Sequence, residues 1–206
     1  STQTMDEARH IEVFARYLRE KLEWEWPINE SLKTLLDLTI KDQRWDFKYL
    51  GMQIIIEGLA MAAFGNLHQM AREPLLKDLI RYVMKDESRH VAFGVLSLTG
   101  YYQDMAANEL KDREDFVIEA CELMRNRLMG DQISDAMGWN RQEVRELVLN
   151  SAPAQMFRSM LFARIVPNLK RIGLLTPRVR EAFARLQILQ FEDWDPEEQD
   201  RRLGFA

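Results

Sequence analysis

The sequence predicts an all-α helical bundle, and three observations carry that prediction. Leu, Met, Ala, Glu, Arg and Lys, which are good helix formers, dominate the chain. No segment alternates apolar and polar residues as a half-buried strand does. Along the longest segments the apolar residues step by three and four, so they gather on one helix face.

The elements follow in order. Pro27 ends a first helix over about residues 3 to 26. A short helix follows, with Asn29 or Ser31 as its cap. A long helix is predicted from about Thr39 to Asn66, with Phe47, Leu50, Ile54, Glu57, Met61 and Phe64 on one face. Glu73-Pro74 opens the next, proline being suited to a first turn. Leu76, Ile80, Val83, Glu87, His90 and Gly94 repeat the stepping there, and this helix is predicted to continue to about Ala107. Further helices are predicted at about 112–129, 141–149, 154–173 and 177–190, with a charged tail from Glu192 to Arg202 on the surface. Residues 1–110 form the expected core of the bundle, and 111–206 supply accessory helices packed on the same domain.

Bulk properties exclude several classes. The 206 residues are 47% hydrophobic and 30% charged, an ordinary balance for a soluble globular protein. A net charge of −5 argues against a nucleic-acid partner, since phosphate binding needs a basic surface. Arg178 and Arg180 read as one helix face. The single cysteine, Cys121, cannot form a disulfide within the chain and reads as a small buried hydrophobe. A reducing, cytoplasmic setting is expected from that usage. The most apolar stretch, Ile54 to Phe64, contains Glu57 and is too short to span a bilayer. The N-terminus lacks a signal-peptide pattern. Trp24 and Trp26 are expected to pack rather than to carry electrons, and His68, after Gly65-Asn66, is expected in a surface loop.

An internal repeat supplies the chemistry. Asp6-Glu7-Ala8-Arg9-His10 recurs as Asp86-Glu87-Ser88-Arg89-His90, identical at four of five positions, and it holds two of the three histidines. Glu and His three residues apart project from one helix face, so both reach a single metal from one rod. Two such helices facing each other offer two imidazoles and two carboxylates, a donor set suited to iron or manganese rather than to structural zinc. Glu57 is the best additional carboxylate, because a lone ionised glutamate inside Ile54–Met61 is costly to bury unless cations offset it. Gly58 beside it would permit close approach of a helix or substrate. The competing reading makes the repeat two exposed helices with ordinary surface ion pairs. The shared register and the central apolar stripe argue against it.

With these residues the chain resembles the ferritin-like di-iron carboxylate superfamily over about residues 5 to 100. The resemblance is to its oxygen-activating branch, which includes ribonucleotide reductase small subunits and bacterial multicomponent monooxygenases. That fold is a four-helix bundle with a Glu on each of two helices and a Glu-x-x-His on each of the others. The resemblance implies Glu7, His10, Glu57, Glu87 and His90 as ligands of two iron ions, with manganese as the alternative. It also implies that Asp86 orients His10 and Asp6 orients His90, with Arg9 and Arg89 holding the aspartates.

The pattern departs from the family in several places. The family's first helix, with its own Glu, is missing ahead of Glu7; it is expected upstream of Ser1 in a longer chain, with Glu119 as the internal substitute. Phe14 stands where a reductase subunit carries its radical tyrosine, with Tyr17 one turn further. Val83 replaces the extra histidine of arylamine N-oxygenases, and Met61 replaces the gating threonine of multicomponent monooxygenases.

The function implied is oxidation of a small, apolar organic substrate by O₂, by hydroxylation, desaturation or N-oxygenation. Gly58, Ala60, Met61, Ala62 and Ala63 are the expected cavity lining. An electron-donor protein is the expected partner, and the sequence allows a homodimer. The alternatives are a ferroxidase or iron-handling protein, which the roughly 100 residues after His90 fit less well, and a degenerate metal-free bundle.

Overall fold

The computed structural model describes residues 2–25 and 27–203, and among them all regular structure is helical. Helix α1 (Thr2–Tyr17) passes into a π-helical turn at Leu18–Leu22 that ends at Glu23, in the left-handed region at φ 55°. Asn29, and not Ser31, caps α2 (Glu30–Lys41): its side-chain oxygen accepts from the Ser31 and Leu32 N–H groups.

The long central helix starts later than the pattern suggests. Thr39 belongs to α2, and Asp42 breaks the chain by accepting from the Arg44 N–H and pairing with its guanidinium. From Trp45 the helix runs as α3 (Trp45–Tyr49), a π-helical stretch at Leu50–Ile56, and α4 (Glu57–Met70). Gly65-Asn66 does not interrupt it, so His68 lies half-buried on α4 rather than in a loop.

Helix α5 (Pro74–Leu98) opens as expected, with the Glu73 carboxylate accepting from the Leu76 N–H at 2.6 Å. It stops at Leu98 instead of reaching Ala107, because the chain turns at Gly100, whose φ of 79° suits glycine. Helix α6 (Ala107–Asn126) therefore begins earlier than predicted. A further short helix, α7 (Asp131–Met137), is not among those predicted; Gly130 and Gly138 bracket it.

Helix α8 (Arg141–Asn150) matches its prediction. The helix predicted over 154–173 is two, α9 (Ala152–Met160) and α10 (Ile165–Arg171), and α11 (Pro177–Arg185) follows. Within the charged tail from Glu192, Pro196–Leu203 forms α12, a helix not among those predicted.

A single large apolar cluster joins Leu35, Phe47, Leu50, Ile54, Ile55 and Leu59 to residues of α6, α10 and α11, with Phe162 and Phe183 among its largest buried members. Burying each such side chain contributes about 1.5–3 kcal/mol. Cys121 is fully buried here, and burial pushes its thiol pKa up. A smaller cluster of Met61, Ile80, Met84 and Val91 lies between α4 and α5, beside the carboxylates. Met61 is thus a packed core residue, not a cavity wall.

Gly94 sets the spacing of α5 against the π-helical stretch, because a Cβ there would lie 2.5 Å from the Gln53 Cβ. Gly51 is pressed against the Thr39 side chain in the same way. Gly58 is less demanding than its position suggests: a Cβ would meet Ile165 Cγ1 at an ordinary 3.4 Å.

Three other expectations are corrected. The helix from Trp45 to Met70, taken whole, is long and apolar enough to cross a membrane, although the segment Ile54–Phe64 alone is not. Half of its apolar window is buried inside the protein. Trp24, Trp45, Trp139 and Trp194 are all exposed rather than in the core, although Trp45 packs edge-on to Tyr49 and Tyr101 and Trp194 to Phe191; Trp26 lies outside the described residues. Arg178 and Arg180, two apart on α11, do not share a face. Arg178 pairs with Glu114 and Asp115, and Arg180 with Glu192.

One buried ion pair anchors the start of the central helix. Arg113 of α6 donates through Nε to Asp46 Oδ2 at 2.9 Å and through a second nitrogen to Oδ1 at 3.3 Å. Both side chains are buried, and the guanidinium also lies over the Phe47 ring.

Candidate metal centre

Helices α1 and α5 bring the two copies of the repeat face to face. Asp6 and His10 are the only buried residues of α1, so the helix turns its motif inward and leaves Met5 and Ile11 exposed. On α5, Glu87 and His90 belong to the buried stripe with Ile80, Val83 and Gly94. Glu57 opens α4 directly after the π-helical stretch. Such stretches shift helix register by a fraction of a turn and recur at functional sites.

The two motifs are arranged reciprocally. His10 Nε2 lies 3.1 Å from Asp86 Oδ2, and His90 Nε2 lies 3.2 Å from Asp6 Oδ2. The other ring nitrogens face the glutamates. His90 Nδ1 is 3.1 Å from Glu7 Oε1 and 3.3 Å from Glu87 Oε2. His10 Nδ1 is 3.2 Å from Glu87 Oε1 and 3.7 Å from Glu7 Oε2. The ring centroids are 6.2 Å apart. Outside, Arg9 bridges Asp6 and Asp86, and Arg89 does so from the other helix.

Glu7, Glu57, Glu87 and His90 each place one donor atom within 4.8 Å of all the others. His10 stands just outside that group and joins it through Glu87 and Glu7. Glu57, Glu87, His10 and His90 are buried, whereas the Glu7 side chain is 43% exposed.

The electrostatics are those of a site short of positive charge. Burial, then Glu87 and Glu7, push the Glu57 carboxyl up to about 8. Burial opposes protonation of His10, but its hydrogen bonds with Glu7, Glu87 and Asp86 outweigh that and raise it to about 10. Burial also works against the charged form of Asp86, yet His10 and Arg89 hold it below the ordinary carboxylate value.

Both aspartates therefore suit acceptance from an Nε2–H, which leaves each neutral imidazole a lone pair on Nδ1. That lone pair faces carboxylate oxygens. Only a proton or a cation resolves the clash. Glu57 Oε2 is buried without a hydrogen-bond partner, and buried Glu7 Oε1 and His10 Nδ1 meet only the ring nitrogen and carboxylate oxygens named above, a setting that fits a bound metal. The carboxylates of Glu7, Glu57 and Glu87 and the imidazole of His90 could hold a metal ion, whose charge would offset that of the glutamates.

Glu119 does not belong here. It is exposed on α6, whose inward register goes to Phe116, Val117, Ala120, Cys121 and Met124. Gln3, which the repeat did not reveal, does reach the cluster, with Nε2 donating to Glu57 Oε1 at 3.0 Å. Its signal was present, because Gln3 precedes Glu7 by one helical turn. Phe14 stacks on Phe64 at 5.4 Å between ring centroids, and Val83 is buried.

Of the residues expected to line a cavity by Glu57, Gly58 and Met61 are buried, Ala62 and Ala63 pack partly buried against the main apolar cluster, and Ala62 lines a cavity away from the carboxylates. A cavity of about 670 Å³ does reach the site from elsewhere. It runs between α1 and α5 to His10 and Asp86, walled by Val13, Tyr17, Leu75, Leu79, Tyr82 and Val83.

The aspartates give a direct test of this arrangement. Asp86→Asn and Asp6→Asn should each weaken metal affinity ~10- to 100-fold while leaving the fold intact. Competition with a metal chelator measures it, and wild-type affinity in both variants would show that the aspartates orient nothing.

Comparison with family models, curated proteins and solved structures finds no match to this chain.

Proposed function

We propose that Glu7, His10, Glu57, Glu87 and His90 hold two iron ions, and that the protein uses them to oxidise a small apolar organic molecule with O₂. The observation that supports this reading is the reciprocal pairing of each histidine with the opposite helix's aspartate, which aims both Nδ1 atoms at one set of glutamates. Three carboxylates with two imidazoles and no thiolate favour iron or manganese. Two ferrous ions supply, when bound, the electrons that reduce O₂.

The chain's own residues do the rest. Asp6 and Asp86 fix the histidine tautomers, with Arg9 and Arg89 holding the aspartates. Glu57, protonated up to about pH 8 without metal, gives up that proton as it becomes a ligand. Met61, Ile80, Met84 and Val91 keep water from the α4–α5 side. The cavity beside His10 offers the apolar walls that an organic molecule needs. Repeated turnover requires a reductant, so an electron-donor protein is the proposed partner.

One observation favours iron handling instead: the exposed Glu7 side chain opens the cluster toward solvent. Oxygen uptake by the di-ferrous protein separates the two readings. Uptake that accelerates with a small apolar compound and yields an oxidised product supports the oxygenase. Repeated iron oxidation with mineral accumulating, indifferent to any organic compound, would replace it with the ferroxidase.

A further inference from the structure

A second cavity, of about 650 Å³, lies away from the carboxylate cluster and contains none of its residues. It is formed where α4, α6 and α9 meet the segment around Leu189–Phe191. Its lining includes two arginines, Arg125 of α6 and Arg158 of α9, close enough for the charge of Arg125 to act on Arg158. The walls include Phe162, Ile188, Phe191 and Trp194, and Gln155 and Ser159 add polar groups.

Arg158 is the unusual member. It is 8% exposed, its Nε is buried with no hydrogen-bond partner, and a terminal guanidinium nitrogen lies 3.0 Å from the Met129 sulfur. Among the described residues neither Arg158 nor Arg125 is paired with a carboxylate. Burial and the neighbouring Arg125 both disfavour the charged form of Arg158. A buried guanidinium without an anion is expensive to keep, whereas buried Arg113 is matched by Asp46. Gln187, at the cavity wall, takes a left-handed backbone with φ 60° because it closes the C-terminus of α11, the Ile188 N–H donating to the Phe183 carbonyl.

We infer that this cavity binds a small amphipathic anion, with its carboxylate or phosphate head on Arg125 and Arg158 and its apolar body against Phe162, Ile188 and Trp194. The planar guanidinium fork matches either oxyanion. The cavity volume lies in the range of small-molecule sites, and its mixture of apolar wall with a few converging polar groups is the usual one. The inference does not depend on the metal centre.

Calorimetric titration of the full chain with octanoate, octyl phosphate and 1-octanol tests it. At least one of the anions should bind saturably, and octanol about tenfold or more weaker. Arg158→Met and Arg125→Gln should each weaken the anion about tenfold or more and leave octanol unchanged. Ligand-free Arg158→Met should unfold no earlier than wild type, because it removes an unpaired buried charge. Arg125 is only half-buried, so its variant carries the test even if Arg158→Met does not fold. The tighter of the two anions identifies the head group. Octanol binding as well as the anions, anion affinity unchanged by the substitutions, or no saturable anion binding would overturn the inference.

Discussion

Replacing His10 or His90 by alanine is expected to weaken ferrous binding by more than about a hundredfold, beyond the 10- to 100-fold typical of an outer partner such as Asp86. Each imidazole presents Nδ1 to two glutamates, at 3.2 and 3.7 Å for His10 and at 3.1 and 3.3 Å for His90. Losing one removes a neutral nitrogen donor that no nearby side chain replaces; among the described residues, His68 is the remaining histidine, and it lies on α4 three turns beyond Glu57. The two variants should resemble each other, because the motifs are reciprocal. Without metal, both should remain folded, since neither belongs to an apolar cluster. Anaerobic chelator competition gives the affinity, and circular dichroism confirms the helices. A variant that keeps wild-type affinity would remove that histidine from the site.

Asp46→Ala is expected to destabilise the protein by about 3–5 kcal/mol, since it strands Arg113 in the core without its charge partner. At about 2–4 °C per kcal/mol for a chain of this size, the melting temperature should fall by about 6–20 °C. Asp46 lies in α3, which feeds the π-helical stretch and then Glu57, so the loss falls on the element that delivers the third carboxylate. Combining Asp46→Leu with Arg113→Met should recover most of the loss, as apolar replacements of a buried pair often do. Thermal melts of the three variants check this. A drop below about 1 kcal/mol in Asp46→Ala would mean that water reaches the pair.

The repeat was legible because its information is local. Glu and His three apart share a face whatever the rest of the chain does, and Pro74 marks a helix start by covalent geometry alone, whereas the first helix stops at Leu22, short of the end expected at Pro27. The apolar stripes through Glu57 and through Glu87 and His90 placed those residues on inward faces, and the structure buries them. Several misses had local signals too. Gly100, Gly130 and Gly138 turn the chain with positive φ, and reading them would have shortened α5 and revealed α7. Asp42 with Arg44 marks a break that the apolar spacing through Thr39 masked.

Other features were not legible in principle. The π-helical stretch at Leu50–Ile56 has the composition of an ordinary core helix, and its hydrogen-bond register is set by packing against α5 and α6. Gly94 and Gly51 could be seen as glycines, but not as the contacts with Gln53 and Thr39 that require them. Glu119 failed as a ligand because neighbours with apolar side chains occur on both sides of a helix, and the structure alone fixes which side faces in. The cavity with Arg125 and Arg158 draws on four separate segments, so no spacing rule reports it.

Anaerobic equilibrium dialysis of the metal-free protein against ferrous iron tests the central claim most directly. Glu7, Glu57, Glu87 and His90 place donor atoms within 4.8 Å of one another with His10 beside them, and two ions are proposed among these five residues. The bound iron should plateau near two per chain in wild type and fall well below that in His10→Ala and His90→Ala at the same free iron. A plateau below one iron per chain in wild type, or binding that both variants retain in full, would contradict the proposed centre.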